Sequence, residues 1–295
     1  MIHTLDLNFQ QIEEVIAAFL IETSEGLVLV ESGPHTTYKN LENEIIKVGC
    51  KVDDIKHVLL THIHLDHAGA AWALAEKGAE VHVHPVGYPH LANPTKLITS
   101  AKRIYLDDME RLWGEIHSIP ENKLHAVVDN TKLEIGGKQF IAHYTPGHAI
   151  HHIAWQLDNV LFTGDVAGVK IGNSIVVPPC PPPDIHIEDW QHSISKIRAM
   201  KVDTLYLTHF GLVTDKLKHL AQLEEMLLSW AFWIKPYFER EEHIQDVIPK
   251  FQDFVKDQLS SFGLDEIGIK KYEAANPSFM SVAGLMRYWK KNNKN

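Results

Sequence analysis

The sequence predicts an α/β protein in two parts: a domain of strands and helices over residues 1–212 and an all-helical extension over 213–295. Three observations support this prediction. Short apolar runs that end near glycine or proline recur along the first part and are typical of buried strands. Between them lie segments whose apolar residues are spaced as on one face of a helix. From Thr214 onward only the helical spacing remains.

The first elements are two strands joined by a tight turn. Residues 14–21 and 26–31 are apolar runs, and the Ser-Glu-Gly sequence at 24–26 predicts the turn between them. A helix is predicted over 38–48, after a break at Gly33 and Pro34. The next strand, helix and strand are predicted over 57–60, 68–77 and 80–85.

A helical insertion is predicted over 94–120, where charged and apolar residues have helical spacing. Strand-like runs return after it. They are predicted at 124–128, 132–135, 140–144, 152–156, 160–163 and 204–208, with a helix at 187–200 before the last strand. The proline-rich segment 178–183 predicts a stiff, extended connection, because proline fixes φ and donates no hydrogen bond.

The extension is predicted to form three helices, over 214–234, 241–260 and 277–290. Pro236, Gly263 and Pro277 mark the predicted breaks, since proline and glycine interrupt helices most strongly. We expect these helices to wall a substrate pocket or to form the interface of a homodimer.

The composition argues against several classes of partner. The chain has 28 basic and 38 acidic residues, a formal net charge of −10. Binding to nucleic acid or to an anionic membrane requires clustered Lys and Arg, so neither partner is expected. The N-terminal residues lack the pattern of a signal peptide, and no run approaches the ~18 apolar residues of a membrane helix. Cys50 and Cys180 are the only cysteines in the sequence, and so few are typical of a reducing compartment, so a cytoplasmic protein is expected. With nucleic acid and membrane disfavoured, the expected partner is a small-molecule substrate.

Residues 61–69 carry the densest group of potential metal ligands. They read Thr-His-Ile-His-Leu-Asp-His-Ala-Gly and directly follow the apolar run at 57–60. Imidazole and carboxylate groups suit zinc, iron and manganese. In the His-x-His pattern, the rings of His62 and His64 fall on one side of an extended backbone. Four polar side chains at the end of a buried strand need partners, and a metal ion supplies them.

Three later segments each place another potential ligand at the end of a strand. His148 ends Thr-Pro-Gly-His, Asp165 ends Thr-Gly-Asp, and His209 lies in Thr-His-Phe-Gly. Each segment by itself is weak evidence for a metal ligand, because histidines and aspartates at strand ends are more often turn residues. With residues 62–67 they form an ordered series of seven candidates, which coincidence explains poorly.

The chain has 20 histidines, and those outside the series are interpreted as structural or surface residues without a role in the site. His82 and His84 alternate along a strand, and both are interpreted as structural because they lack a neighbouring carboxylate or a third ring. The isolated histidines are interpreted as surface residues: His3, His35, His90, His117, His125, His186, His192, His219 and His243.

The series resembles the signature of the metallo-β-lactamase-fold hydrolases, which is His-x-His-x-Asp-His followed by His, Asp and His. The resemblance spans residues 11 to about 212, with family-like surroundings in Thr-Pro-Gly-His and Thr-Gly-Asp. It implies a four-layer sandwich, in which two sheets pack face to face with helices outside and the metals lie at one edge. It is much more specific for the fold than for the substrate.

By position, the resemblance implies a binuclear centre of two divalent ions, with zinc expected and iron or manganese as alternatives. The first ion would be bound by His62, His64 and His148. The second would be bound by Asp66, His67 and His209. Asp165 and a water or hydroxide would bridge the two ions. Glu31 occupies a position at which many relatives have an aspartate that supports the ligand loop, so it is expected to orient a ligand histidine.

Other positions near the site carry weaker expectations. For His151 and His152, which follow His148, we expect one ring to enter the sheet and the other to face solvent; the alternative is that one lines the substrate pocket. Tyr105 and Trp113 of the insertion are candidates for the pocket wall. Trp230, Trp233 and Tyr237 of the extension are further candidates.

The resemblance implies a hydrolase in which a metal-bridging hydroxide cleaves an ester, thioester, lactone or phosphoester. Two ions bring about +4 and the two carboxylates with the hydroxide about −3, so a net charge near +1 would face a developing oxyanion. Asp66 and Asp165 are the expected catalytic residues, with Asp66 orienting the nucleophile.

Gly168 disfavours an acyl-homoserine-lactone lactonase, because those relatives have tyrosine three residues after the bridging aspartate. Glyoxalase II-like thioesterases share a helical C-terminal region, but their glutathione-binding basic residues have no clear counterpart here. The main alternative is a mononuclear iron dioxygenase of the same fold that acts on a persulfide or another small thiol. A binding module with an idle site is disfavoured because no ligand is missing.

Overall fold

The computed structural model of the protein describes residues 1–292, so residues 293–295 of the predicted extension lie outside the described part. Its strands are β1 (Ile2–Asp6), β2 (Ala17–Thr23), β3 (Gly26–Val30), β4 (Ile55–Leu59), β5 (Glu80–Val83), β6 (Leu124–Ala126), β7 (Lys132–Ile135), β8 (Lys138–Tyr144), β9 (Ile153–Leu157), β10 (Val160–Phe162), β11 (Thr204–Leu207) and β12 (Gly211–Val213). Its helices are α1 (Tyr38–Lys47), α2 (Leu65–Ala68), α3 (Ala71–Glu76), α4 (Tyr88–Ala92), α5 (Thr95–Tyr105), α6 (Met109–Trp113), α7 (Ile187–Ala199), α8 (Lys216–Glu239), α9 (Ile244–Ser261), α10 (Glu266–Ala275) and α11 (Ser278–Asn292).

The strands form two six-stranded sheets, ordered β1-β2-β3-β4-β5-β6 and β12-β11-β10-β9-β8-β7. Neighbours from β3 to β6 are parallel, as are β10 and β11, and the other pairs are antiparallel. Phe19, Phe140, Trp155 and Phe162 are buried in the core between the sheets. Helices cover the outer faces, so the predicted sandwich is confirmed.

The central strands are apolar on both faces because both are covered. In β3, Val28 and Val30 belong to the core between the sheets, whereas Leu27 and Leu29 pack toward the helices. Successive side chains of a strand point to opposite faces, so a continuous apolar run fits this position. Because β3 and β4 are parallel, they end at the same edge of the sheet, where the ligand loop begins.

The sequence predictions missed four elements and misplaced one break. β1 and β12 are short edge strands, α4 has only five residues, and α10 lacks a clear apolar stripe. The predicted break at Pro236 was wrong, since α8 continues to Glu239. Pro236 has no N–H to donate, so one hydrogen bond of the helix is lost. The helix nevertheless continues for three more residues, and the Pro236 carbonyl accepts from Arg240 N at 3.1 Å.

The helices of the extension pack against the α/β part and against one another. α8 contacts α7, and α11 contacts both α8 and α9. Gly284 of α11 lies directly against the proline-rich connection, where an added Cβ would be 2.0 Å from the Cys180 carbonyl oxygen. This close approach brings the start of α11 beside the ligand edge of the sandwich. Within residues 1–292, none of the helices combines the length and hydropathy that crossing a bilayer would require.

Candidate metal centre

The ligand loop leaves β4 in an extended conformation and then turns into α2. This geometry directs His62 and His64 to one side, and the first turn of α2 carries Asp66 and His67. The backbone of the turn is held by hydrogen bonds, in which His67 N donates to His64 O at 3.0 Å. The Ser32 hydroxyl donates to His67 O at 2.9 Å. Four candidate ligands therefore arise from one short, hydrogen-bonded segment.

Three histidines and one carboxylate converge in the first ligand group. His64 Nδ1 lies 2.9 Å from His62 Nε2 and 3.0 Å from His148 Nε2. His148 Nε2 lies 3.2 Å from Asp165 Oδ2. One donor atom from each of these four residues lies within 4.8 Å of the others, which is close enough for them to share one ion.

The second ligand group uses the other oxygen of Asp165. Asp165 Oδ1 lies 3.2 Å from His67 Nε2 and 3.4 Å from His209 Nε2. Asp66 Oδ2 lies 3.4 Å from His209 Nε2 and 3.7 Å from His67 Nε2. The two oxygens of Asp165 therefore face different groups, which is the arrangement required of a bridging carboxylate.

Several buried polar atoms of the site fit a metal and are otherwise unexplained. In the described part of the chain, His67 Nε2, His209 Nε2 and Asp165 Oδ1 form no hydrogen bond. Buried polar atoms are nearly always paired, so three orphans that face one another need a partner. Five imidazoles and two carboxylates are donors that zinc, iron and manganese accept. The residues present therefore fit a divalent metal centre.

Three of the candidate histidine ligands have a fixed partner on the ring nitrogen that faces away from the site. His148 Nδ1 donates to Pro179 O at 2.8 Å, and His209 Nδ1 donates to Val15 O at 2.7 Å. His62 Nδ1 lies 3.0 Å from the Thr61 hydroxyl. Such partners fix the tautomer and leave the opposite nitrogen free to bind a metal.

Glu31 lies behind the ligand loop and is hydrogen-bonded to His67. Its Oε1 accepts a hydrogen bond from His67 Nδ1 at 2.9 Å, and it also accepts from the hydroxyls of Thr61 and Thr208. Its Oε2 accepts from the Thr61 backbone N–H at 3.2 Å. The fully buried Glu31 side chain thus connects the ligand loop to the end of β11.

His151 and His152 correct a prediction, because both rings are buried and neither faces solvent. His152 Nε2 accepts the Asp165 backbone N–H at 3.2 Å, while its Nδ1 lies 2.8 Å from the Thr145 hydroxyl. His152 therefore positions the loop that carries Asp165. The His151 ring lies 6.1 Å from the His62 ring, centroid to centroid, and packs behind the first ligand group.

Burial and mutual charge set the protonation of the site. Burial lowers the pKa of His64 to about 3 and the pKa of His62 well below its ordinary value. Burial alone would raise the pKa of Asp66, but His67 and His209 outweigh it and lower that pKa to about 2. The first ligand group thus has neutral imidazoles and the site has ionised carboxylates, which are the forms that bind metals.

A cavity of about 410 Å³ opens over the two ligand groups. Trp113 and Tyr105 of the insertion line it, and Trp113 stacks on Phe9 with ring centroids 5.7 Å apart. Phe279 and Met280 of α11 line another side. The prolines of the 178–183 connection complete the wall, so four separate segments of the chain enclose the ligand groups.

The other aromatic candidates of the extension do not line this cavity. Trp230 packs on Phe251 with centroids 5.0 Å apart, and Trp233 packs on Tyr237 at 4.6 Å. Their helical spacing reflects packing among α8 and α9. The sequence predictions of a pocket role for Trp230, Trp233 and Tyr237 were wrong for this reason.

Several residues near the site could not be identified from the sequence. Val15 and Pro179 act through backbone carbonyls, which any residue could supply. Phe9 begins a three-residue 3-10 turn before β2, where no sequence pattern distinguishes a pocket residue. His219, interpreted as a surface residue, is buried and donates from Nε2 to Ala167 O at 2.7 Å. Cys180 is buried, and burial raises the pKa of its thiol.

Comparison with known proteins reveals the family. The family profile described as the metallo-beta-lactamase superfamily matches residues 13–209. The metallo-beta-lactamase fold-containing protein ST1585 of Sulfurisphaera tokodaii is 28% identical over 229 residues, which are 75% of this chain and 84% of ST1585. The crystal structure of ST1585 covers 78% of this chain and 85% of its own, with a TM-score of 0.64 and 26% sequence identity.

Two further relatives extend the comparison. The crystal structure of the metallo-beta-lactamase family protein TTHA1429 from Thermus thermophilus covers 99% of this chain and 94% of its own, with a TM-score of 0.67. At 20% identity it supports the fold alone, including the helical extension. The atrochrysone carboxyl ACP thioesterase of Aspergillus fumigatus is 27% identical over 172 residues, which are 58% of this chain and only 42% of that enzyme. The chain therefore belongs to the metallo-beta-lactamase superfamily of metal-dependent hydrolases.

Proposed function

We propose that the protein is a binuclear metal-dependent hydrolase that cleaves an ester or thioester with an apolar acyl group. The observation that carries this proposal is the pair of ligand groups that share Asp165 at the floor of one cavity. His62, His64 and His148 would hold one ion. Asp66, His67 and His209 would hold the other. Zinc is the preferred metal because it accepts both imidazole and carboxylate donors, and iron and manganese are the alternatives.

When bound, two divalent ions would supply a water of lowered pKa and a positive charge for the developing oxyanion. Asp66 is the carboxylate best placed to handle the proton, because its side chain is 22% exposed and lines the cavity. Asp165 is 4% exposed and is held by His152, so its role is to maintain the geometry. Asp66 can orient the attacking water, accept its proton and pass that proton to the leaving thiolate or alkoxide as the acyl bond breaks.

The cavity favours a carbonyl substrate over a phosphoester. Among the described residues that line it, Arg111 is the only arginine or lysine. Its guanidinium already donates to Asp108 Oδ1 at 2.8 Å and to Gln10 Oε1 at 3.1 Å. A phosphoester carries charge that free cationic donors would have to match. The apolar walls instead suit an acyl chain.

The position of Gly168 argues against the lactonase type of site. Gly168 has φ +77, and an added Cβ would lie 2.7 Å from Leu223 Cδ1 and 2.9 Å from Val177 O. No side chain fits there, so the tyrosine of the lactonases has no structural equivalent at this position. The atrochrysone carboxyl ACP thioesterase among the relatives adds support for a thioester.

Hydrolysis of a thioester series by the zinc-loaded protein tests this proposal. The value of kcat/KM should rise with acyl length by about fourfold per methylene, because each buried methylene contributes about 0.8 kcal/mol. The Trp113→Ala variant should flatten that rise, whereas Phe232→Ala, which alters an exposed aromatic on α8, should not. Rates that are independent of chain length, or faster cleavage of a phosphodiester than of any thioester, would reject the proposed substrate class.

Oxygen uptake tests the main alternative function, that of a mononuclear iron dioxygenase. Iron-loaded protein is given a small organic persulfide in an oxygen electrode, with the thioester assay run in parallel. Thioester hydrolysis without oxygen uptake supports the hydrolase. Stoichiometric oxygen consumption without thioester hydrolysis would replace it by a mononuclear iron dioxygenase.

A further inference from the structure

We infer that the chain carries an auxiliary site for a divalent transition-metal ion, separate from the centre at Asp165, with His57, Glu80 and His82 as ligands. Together with His125, these residues form what we term the strand-face cluster. The cluster lies on the first sheet, across β4, β5 and β6.

The register of three parallel strands brings the cluster together. His57 pairs with Glu80 and Leu59 pairs with His82 between β4 and β5. His82 pairs with His125 between β5 and β6. Side chains two apart on a strand share a face, and Leu59 belongs to the core between the sheets. The cluster therefore occupies the same face of the sheet as Leu59, near its β6 edge.

The donor atoms are close enough to share one ion. His57 Nδ1 lies 3.1 Å from His82 Nε2 and 3.9 Å from Glu80 Oε2. One donor atom from each of these three residues lies within 4.8 Å of the other two. His125 Nε2 lies 3.4 Å from the same Glu80 oxygen. This geometry corrects the sequence interpretation of His82, because a carboxylate and two further rings do adjoin it.

Hydrogen bonding satisfies the strand-face cluster incompletely. Burial lowers the pKa of His57 and lowers the pKa of His82 to about 3, so both rings are neutral at pH 7. Only one proton can lie between the two facing nitrogens. Within the described residues, His82 Nδ1 and His125 Nε2 have no hydrogen-bond partner. An ion bound at His57 Nδ1, His82 Nε2 and the Glu80 carboxylate would replace that single shared proton and use the lone pairs of both facing nitrogens.

The auxiliary site is reachable and distinct from the main centre. The side chains of His57, Glu80 and His125 are 21%, 45% and 42% exposed. His57 precedes His62 by five residues, which is about 16 Å of extended chain. Three protein ligands leave a position for water, and zinc, copper or nickel suits two imidazoles with one carboxylate.

Zinc titration of metal-free protein, in competition with a chromophoric chelator, tests the inference. The wild type should show a weaker class of one zinc in addition to whatever number the centre at Asp165 binds. Glu80→Gln keeps the size of the side chain and removes its charge, and His57→Gln alters a partly exposed ring. Each should weaken the additional class at least tenfold and leave the tighter class unchanged. His192→Gln, an exposed histidine elsewhere, is the matched control.

The outcomes separate this site from the proposed hydrolase centre. Loss of the weaker class in both cluster variants, with the control unaffected, supports the auxiliary site. Equal zinc affinity and stoichiometry in the wild type and both cluster variants would overturn it, whatever the activity of the protein. A circular dichroism spectrum unchanged in Glu80→Gln excludes misfolding as the cause of a loss.

Discussion

The centre at Asp165 and the strand-face cluster both combine histidines with carboxylate groups, yet they differ in their surroundings. At the centre, the far nitrogens of His62, His67, His148 and His209 each have a partner within 3.0 Å. In the strand-face cluster, as far as the described residues extend, His82 Nδ1 has none. The centre is buried at the end of the strands, whereas the cluster lies along the strands and is partly exposed.

We expect the outer partners, in addition to the larger donor set of the centre, to make the centre bind a metal more strongly than the strand-face cluster does. A ring whose far nitrogen is held keeps its tautomer and direction, so little order must be created when an ion binds. A ring without such a partner must be fixed by the ion itself. The centre should therefore bind tightly and the strand-face cluster weakly.

The largest effect should come from Asp165→Asn, which removes the charge shared by both ligand groups. Leaving buried cationic partners without their counter-charge costs about 3–5 kcal/mol, so zinc affinity should fall by about two to three and a half orders of magnitude. Metal analysis together with the thioester assay measures it. Asp253→Asn, on the exposed face of α9, serves as control. Full turnover with two bound ions in Asp165→Asn would exclude the bridging role.

A smaller loss of zinc affinity is expected from Glu31→Gln, which alters the hydrogen-bond partner of His67. The amide retains one acceptor, but its NH₂ group then faces donors from Thr61 or His67. Changes of this type lower metal affinity about 10- to 100-fold. Competition with a chelator measures the affinity, with Glu25→Gln in the exposed turn as control. If the two variants bind zinc equally, outer partners do not explain the contrast between the sites.

His219 tests what burial does to a histidine that has no carboxylate beside it. Burial lowers its pKa to about 4, while the unfolded chain has the ordinary value near 6.5. The stability from the neutral ring is complete above pH 6.5 and is lost as the pH falls toward 4. His219→Gln should therefore reduce the slope of unfolding free energy against pH in this window by at most one proton. Urea unfolding at several pH values measures it, and an unchanged slope contradicts the assignment.

The smallest effect concerns turnover during gradual metal removal. Because the far nitrogen of His82 has no partner among residues 1–292, the ion of the strand-face cluster should leave first when chelator is added in steps to fully loaded protein. The first equivalent removed should leave the thioester rate unchanged, and the rate should fall only with later equivalents. Parallel metal analysis and rate measurement provide the comparison. A rate that falls in proportion from the first equivalent would contradict this order of affinities.

Much of the centre was predictable because its ligands follow strands at regular positions. The series from His62 to His209 and the alternation of strands and helices needed only local patterns. The failures have a common cause. Each failure depends on neighbours distant in the chain, which local spacing does not encode. The cases are the environments of His152 and His219, the packing of Trp230 and the continuation of α8 through Pro236.

The sequence by itself determined the donor set, the order of the strands that present it and the α/β class, because these depend on residue type and spacing within one element. Only the tertiary structure decided that the two oxygens of Asp165 face different ligand groups. It also supplied the carbonyls of Val15 and Pro179 as outer partners and gathered four segments around the cavity. Backbone groups carry no residue identity, and contacts between distant segments exist only once the sheets and helices have packed.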